Sequence, residues 1–315
     1  MLYSIVVPIY NSAKTMDELY NRIRAVFENE IHEDFELVLV DDCSKDDSYE
    51  VIKRLNKLDE RVKYIHFAKN HGQQKAVLCG IEHTEGDFVI TMDDDLQHPP
   101  EEIPKLIAKM ESDPKIDVVI GMYDSKKHNG IRRLGTRMLD VLSNAVFRKN
   151  KDLKLTSFRL MKSVVADNLA EVGIKSPTVG HCILMVDGNV VNTEVRHDPR
   201  KVGKSGYSFS KLVKTFLNNV YVNSDFPLRV LGKIGILSFC ASILLAIYYL
   251  IRYFTGHIHV SGFTTLILVV LFMNGLSLLS AGIMGRYLMV IINETKALPK
   301  YSIKEKNVEN KRGRK

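Results

Sequence analysis

Three consecutive carboxylates, Asp93, Asp94 and Asp95, followed by Leu96 and Gln97, are the residues of this chain best placed to do chemistry. They close a run from Asp87 to Met92 that is rich in strand-forming residues, and they precede Pro99-Pro100-Glu101-Glu102, which announces a helix. If the backbone stays extended through the triplet, Asp93 and Asp95 project to one side and Asp94 to the other. Two carboxylates on one side can share a divalent cation, and Asp94 is then the acid expected to tolerate replacement best. Taken alone, the triplet fits a solvated helix cap equally well, because acids are favoured near a helix N-terminus.

The elements that must position these acids are legible from periodicity. Strand-like runs at 3–8, 35–40, 62–67, 88–92 and 117–121 alternate with helical stretches at 18–27, 48–58, 74–83 and 101–110. Such alternation gives an α/β fold, a Rossmann-like, mostly parallel sheet with helices on both faces. Ligands of such sheets bind outside the carboxyl ends of the strands. Polar residues collect there: Pro8-Ile9-Tyr10-Asn11-Ser12, Asp41-Asp42-Cys43-Ser44, Asn70-His71-Gly72-Gln73 and the acidic triplet. Ordinary turn chemistry explains any one of these ends. It explains four leading to one rim less well. Gly72 is either a turn glycine or a point of close backbone approach, and His71 and His98 read as surface histidines.

Beyond Gly121 a helix is expected from Arg132 to about Phe147, with Arg132 and Thr136 on one face. Ser157-Phe158-Arg159-Leu160-Met161 and another helix follow, then a hairpin turning at Asp187-Gly188-Asn189 between 182–186 and 190–195. The stretch 207–222 carries apolar residues at helical spacing and is expected to lie in a membrane interface.

Residues 234–251 and 263–285 lack Asp, Glu, Lys and Arg altogether. Each is close to the roughly 20 residues that cross a bilayer as a helix. Basic residues are absent from 255–262 but dense after 296, so both termini are expected on the cytoplasmic side of the membrane. The resulting divisions are a catalytic domain at 1–206, an interfacial segment at 207–229, two spans within 230–292 and a basic tail at 293–315. The tail reads as disordered after about Ser302. The net charge of +7 concentrates there, beside a membrane, so anionic lipid accounts for it better than nucleic acid does. Four scattered cysteines make no metal or redox spacing.

In order and spacing, these motifs resemble a family 2 glycosyltransferase with a GT-A-type fold. The narrower pattern of Asp93-Asp94-Asp95-Leu96-Gln97-His98-Pro99-Pro100, Phe158-Arg159-Leu160-Met161, Gly203-Lys204-Ser205-Gly206-Tyr207 and two C-terminal apolar helices is similar to polyprenyl-phosphate glycosyltransferases. The resemblance implies inverting transfer of one sugar, such as glucose from UDP-glucose, to undecaprenyl or another polyprenyl phosphate. By position it assigns Pro8, Tyr10, Asn11, Asp41, Asp42, Asn70, Gln73 and Asp93 to the donor nucleotide. Asp93, Asp95 and Gln97 go to Mg²⁺ or Mn²⁺ and the diphosphate, with Asp93 and Asp95 the catalytic pair. Arg132, Thr136, Arg159, Arg200 and Ser205 go to the acceptor phosphate. The implied partners are a nucleotide sugar, a lipid phosphate and the membrane, with room for a homo-oligomer and no role for nucleic acid. Where many relatives carry an acid or a basic residue, this chain has Ser12, Met122 and Ser157, and Arg286 replaces a glutamate.

The chemistry asks for this set. A leaving diphosphate is best met by a hard cation on oxygen ligands. A phosphate acceptor is already ionised near neutrality, so no dedicated base is needed, and arginine forks suit its positioning. A glycan-elongating transferase and an inactive nucleotide-sugar scaffold are the alternatives.

Overall fold

The computed structural model describes residues 1–123, 153–172, 178–186, 188–199, 226–255, 262–296, 299–309 and 311–312, which fall into two units. The described parts of 1–135, 149–206 and 297–315 form the first, and the described part of 207–296 lies in the second.

The first unit is built on β1 (Leu2–Ile9), whose alternation divides the core. Tyr3, Ile5, Val7 and Ile9 bury into one face of the sheet and Val6 into the other. Around it lie β2 (Asp34–Asp41), β3 (Val62–Phe67), β4 (Phe88–Thr91), β5 (Val118–Met122), β6 (Arg159–Lys162), β7 (Val190–Glu194) and β8 (Ile303–Lys306). The order is β7-β5-β6-β4-β1-β2-β3-β8. The four strands read first, β1 to β4, pair in parallel, whereas β6 runs antiparallel to β4 and β5, and β8 antiparallel to β3. The sheet is therefore mixed.

Helices α1 (Met16–Val26), α2 (Ser48–Leu58) and α4 (Ile103–Glu111) cover one face; α3 (Gln73–Glu82), α5 (Ser163–Glu171) and α6 (Val179–Met185) cover the other. Gly80 lets α3 lie close, since a Cβ there would come 2.3 Å from a Val6 methyl and 3.1 Å from one of Val40.

Two expectations fail here. Residues 182–186 belong to α6 and its end rather than to a hairpin strand, and β7 pairs in parallel with β5. The run Cys182-Ile183-Leu184-Met185 is too short and uniformly apolar for its period to separate helix from strand. The described part of the tail is not disordered either. β8 covers the free edge of β3, Val308 enters the core, and Arg312 is buried with its guanidinium on Thr84, Gly86, Ser163 and Asp167. Lys300 pairs with Glu82 and Lys311 with Glu85, so several of the charges assigned to lipid are used in docking.

The second unit contains α7 (Phe226–Phe254) and α8 (Phe263–Thr295), which include both apolar runs. Among the described residues one segment, Phe272–Asn293, is long and apolar enough to cross a membrane. Leu237, Leu244, Phe272 and Leu278 are exposed on these helices. The interfacial stretch 207–222, the expected helix from Arg132 to Phe147, and Arg200 and Ser205 lie outside the described residues.

Candidate active site

The rim is assembled by hydrogen bonds between strand-end loops that are far apart in sequence. Asn11, in the left-handed region at φ 56°, accepts the Lys45 N–H at 2.8 Å through Oδ1 and donates its own N–H to Ser44 Oγ at 3.0 Å. Asp42 accepts the N–H groups of His71 at 2.6 Å and Gly72 at 2.8 Å, and its backbone carbonyl takes the Asn70 side-chain amide at 3.1 Å. Burial raises the Asp42 carboxyl against the pull of those two N–H groups. Gly72 has φ 92° with no atom within 4 Å of where a Cβ would sit. Conformation, not protein crowding, fixes glycine at the start of α3.

The expected donor contacts divide into two groups. Pro8 is buried in β1 and Asp41 is wholly buried against His66 Nδ1 at 2.6 Å, so both shape the rim from beneath. Tyr10, 45% exposed, and the exposed Gln73 stand at the surface.

The triplet leaves the strand earlier than expected, because β4 ends at Thr91 and Asp94-Asp95 form a turn closed by Leu96 at φ 59°. The three acids still part company. Asp94 accepts the Tyr10 N–H at 3.2 Å and the Ser12 hydroxyl, and its carbonyl takes Thr15 Oγ1 at 2.9 Å. Burial pushes its carboxyl up to about 6 despite the two donors. Asp94 thus fastens the β1 loop to the β4 loop, which corrects the expectation that it is the dispensable acid. Ser12 is the natural partner of that arrangement, since an acid there would confront Asp94.

Asp93 turns the other way, accepting Gln73 Nε2 and Ser157 Oγ, each at 2.6 Å. Ser157 in place of an acid therefore meets Asp93 without repulsion. Asp95 accepts the Gln97 N–H at 3.1 Å, and the Gln97 carbonyl takes the Asp198 N–H at 2.9 Å, which brings the chain after β7 onto the triplet.

His98 corrects a second expectation: it is 5% exposed, stacks on Phe158 with centroids 5.4 Å apart, and has no hydrogen-bond partner for either ring nitrogen among the described residues. Burial lowers its pKa, while Asp93 and Asp95 pull the other way. Tyr123 and His197 stack beside it, 3.9 Å apart. Sequence reading missed Tyr123 and His197. Their only signal is position, just after β5 and just after β7, two further strand ends on the same rim.

Arg159 is buried to 6% exposure at the base of the site, with no partner for its Nε among the described residues. Burial lowers its pKa to about 10, against the attraction of Asp93.

Asp93 and Asp95 are hard oxygen donors of the kind a divalent ion takes, and both act electrostatically on His98. Among the described residues no group of three or more metal-binding side chains is assembled. An ion here would complete its shell with diphosphate oxygens, as Mg²⁺ commonly does.

Comparisons with known proteins agree with this geometry. Residues 4–168 match the family model described as glycosyl transferase family 2. The chain is 34% identical to the Bacillus subtilis glycosyltransferase CsbB over 312 residues, covering 98% of this chain and 93% of that protein. It is 28% identical over 306 residues to the Proteus mirabilis undecaprenyl-phosphate 4-deoxy-4-formamido-L-arabinose transferase, covering 96% and 93%. In fold it is similar to mannosyl-3-phosphoglycerate synthase from Rubrobacter xylanophilus, with a TM-score of 0.55 at 16% identity over 75% of each chain. Glucosyl-3-phosphoglycerate synthase from Mycobacterium tuberculosis, solved with Mn²⁺ and UDP-glucose, gives 0.50 at 16% identity over 70% of this chain and 77% of that one. With a family model spanning β1 to α5 and a relative alike over nearly its whole length, the chain belongs to glycosyl transferase family 2.

Proposed function

We propose that the protein transfers a monosaccharide, with inversion, from a nucleotide sugar such as UDP-glucose to undecaprenyl or another polyprenyl phosphate at the cytoplasmic face of the membrane. The observation that carries this reading is the rim itself: four parallel strand ends tied to one another by Asp42, Asn11 and Asp94, with Asp93 and Asp95 on either side of Asp94 in the loop after β4. Likeness over nearly full length to a transferase named for undecaprenyl phosphate supports the acceptor.

In the reaction an acceptor phosphate oxygen forms a bond to the anomeric carbon as the bond to the diphosphate breaks. Tyr10, Asn70 and Gln73 bind the donor at the mouth of the rim, and Asp93, Asp95 and Gln97 hold its diphosphate end. A bound Mg²⁺ or Mn²⁺ supplies Lewis-acid stabilisation of the leaving group. Arg132, Thr136, Arg200 and Ser205 orient the acceptor phosphate, which needs no base because it is already ionised; Arg159, grouped with them by resemblance, is instead buried in the pocket that Asp93 also lines.

Two membrane spans, at α7 and α8, would hold the protein in the bilayer that carries the acceptor. Chain order supports an even number of crossings, because residues on both sides of the helical pair belong to the same unit. The divisions proposed are 1–206, 207–229, 230–292 and 293–315, the last carrying the strand Ile303–Lys306 that pairs with β3.

Membranes containing the protein, supplied with radiolabelled UDP-sugars, undecaprenyl phosphate and Mg²⁺ or Mn²⁺, are expected to place label in the lipid phase. No labelled lipid from any common donor refutes the reading. Asp95→Asn is expected to abolish labelling in a protein that remains folded, and unchanged labelling would remove the metal pair from the mechanism.

A further inference from the structure

Below Asp93 the site continues into a pocket of about 280 Å³, lined by Gln73, Asp93, Thr156, Ser157, Arg159 and His181 among others. That is at or below the low end of the about 300–1,000 Å³ usual for whole-ligand sites, so it suits a single sugar ring and not a nucleoside diphosphate or an isoprenoid chain. The lining is mixed in a way that suits a polyol. Hydroxyl and amide groups surround a carboxylate, and each Asp93 oxygen that already accepts from Gln73 or Ser157 retains a further lone pair. A phosphate in the same space would face that carboxylate with like charge.

The base of the pocket is more selective. Arg159 enters from β6, where it lies opposite Thr91 of β4, and passes beneath the first turn of α6, with Nη2 3.6 Å from where a Cβ on Gly180 would sit. Its guanidinium has five donors and no acceptor, and its buried Nε has no partner among the described residues. That Nε is sealed from the pocket, so Arg159 lines it through its other atoms; a buried guanidinium short of acceptors is costly, and an acceptor oxygen on its outer nitrogens offsets that cost. The fork is satisfied best by a planar carbonyl or carboxylate group.

We infer that this pocket receives the transferred sugar, and that Arg159 selects a ring carrying a carbonyl or carboxylate oxygen, as in an N-acylated or uronic sugar, over a plain hexose. The inference rests on the transferase reading for the identity of the donor, and it narrows that donor beyond glucose.

Donor binding to the full-length protein in detergent, measured by calorimetry with Mn²⁺ and no acceptor, tests it. UDP, UDP-glucose, UDP-N-acetylglucosamine and UDP-glucuronate are the probes. The wild type is expected to bind at least one of the last two about tenfold or more tighter than UDP-glucose, the range of a hydrogen bond to a charged group. Arg159→Met is expected to bring the three sugar donors within about twofold of one another while UDP itself is unchanged, with Arg159→Lys in between. A flat wild-type ranking, or no saturable binding, overturns the inference whether or not the variants fold. Equal loss for UDP and all sugar donors in Arg159→Met assigns the arginine a structural role and overturns it too. Lipid labelling alongside a flat ranking sinks only this inference; a clear ranking without lipid labelling sinks only the acceptor.

Discussion

Replacing Arg312 by Met tests whether the C-terminal segment is part of the catalytic unit. Its Nε donates to Thr84 Oγ1 at 2.8 Å, Nη1 to the Ser163 carbonyl at 3.1 Å and Asp167 at 2.6 Å, and Nη2 to the Gly86 carbonyl at 2.6 Å. The Asp167 side chain is 53% exposed, so that pair contributes little, under about 1 kcal/mol. Thr84 and Gly86 are buried, and a charged donor to such partners is worth roughly 1.5–3 kcal/mol each. Methionine refills the volume but leaves two carbonyls without this donor. The expected net loss is about 3 kcal/mol, and it is capped by the free energy of peeling the segment off, since detachment rehydrates the exposed groups. At about 2–4 °C per kcal/mol for a unit of this size, the melting midpoint should fall by about 6–12 °C. Amide exchange across Ile303–Lys306 should accelerate in parallel. Lys311→Met is the control. Its partner is Glu85, the two side chains are 49% and 43% exposed, and a change within about 0.5 kcal/mol is expected. If both variants melt within about 1 °C of the wild type, the docked tail contributes nothing and the reasoning fails.

Asp94→Ala should remove the acceptor of the Tyr10 N–H and Ser12 hydroxyl, costing about 2 kcal/mol or more and most of the turnover, and a denaturation curve with lipid labelling would read both. Wild-type behaviour would restore it as the dispensable acid. Gly72→Ala should cost about 1–2 kcal/mol because φ 92° disfavours a Cβ, and an unchanged melting midpoint would contradict that. Asp59 is raised by its burial but held by Arg61 and Tyr20 at about 2, below its ordinary 3.8. A carboxyl depressed on folding contributes stability that is present above its unfolded pKa and lost as pH falls through its folded one. Asp59→Asn should therefore weaken the protein at pH 7 and flatten the acid limb of its stability between about pH 4 and 2. A parallel acid limb would refute the assignment.

Strand ends were legible in the sequence because two signals coincide at each of them: an apolar run stops, and residues with a reason to turn begin. Asp41-Asp42, Asn70 to Gln73 and the triplet could be placed on one rim without coordinates. What each polar group touches was not legible, since the partners lie far off in sequence. Asp94 looked spare because alternation gives the side of the strand but says nothing of Ser12, which waits there. His98 looked exposed because a histidine after Gln97 carries no periodic signal, and its burial depends on Phe158, contributed by the approach to β6. The tail misled most. Its lysines and arginines fit the composition of a disordered basic segment, yet Ile303, Val308 and Arg312 find a sheet edge and a core gap prepared by β3, α3 and α5.

That docking has a consequence for the rim. Ser302 donates its N–H to His71 Nε2 at 3.0 Å, with its hydroxyl the same distance from that nitrogen, and His71 in turn donates its backbone N–H to Asp42. The residue that follows the helical pair and precedes β8 is thus one side chain away from the loop that opens α3 and presents Gln73 to Asp93. His71→Ala should break this link while sparing the core, because the half-buried ring meets Phe67 edge-on. The expected outcome is weaker donor binding, faster amide exchange at Ser302, and a melting midpoint that moves less than in Arg312→Met. Donor affinity that is unchanged while exchange at Ser302 accelerates would show that the tail and the donor loop are independent.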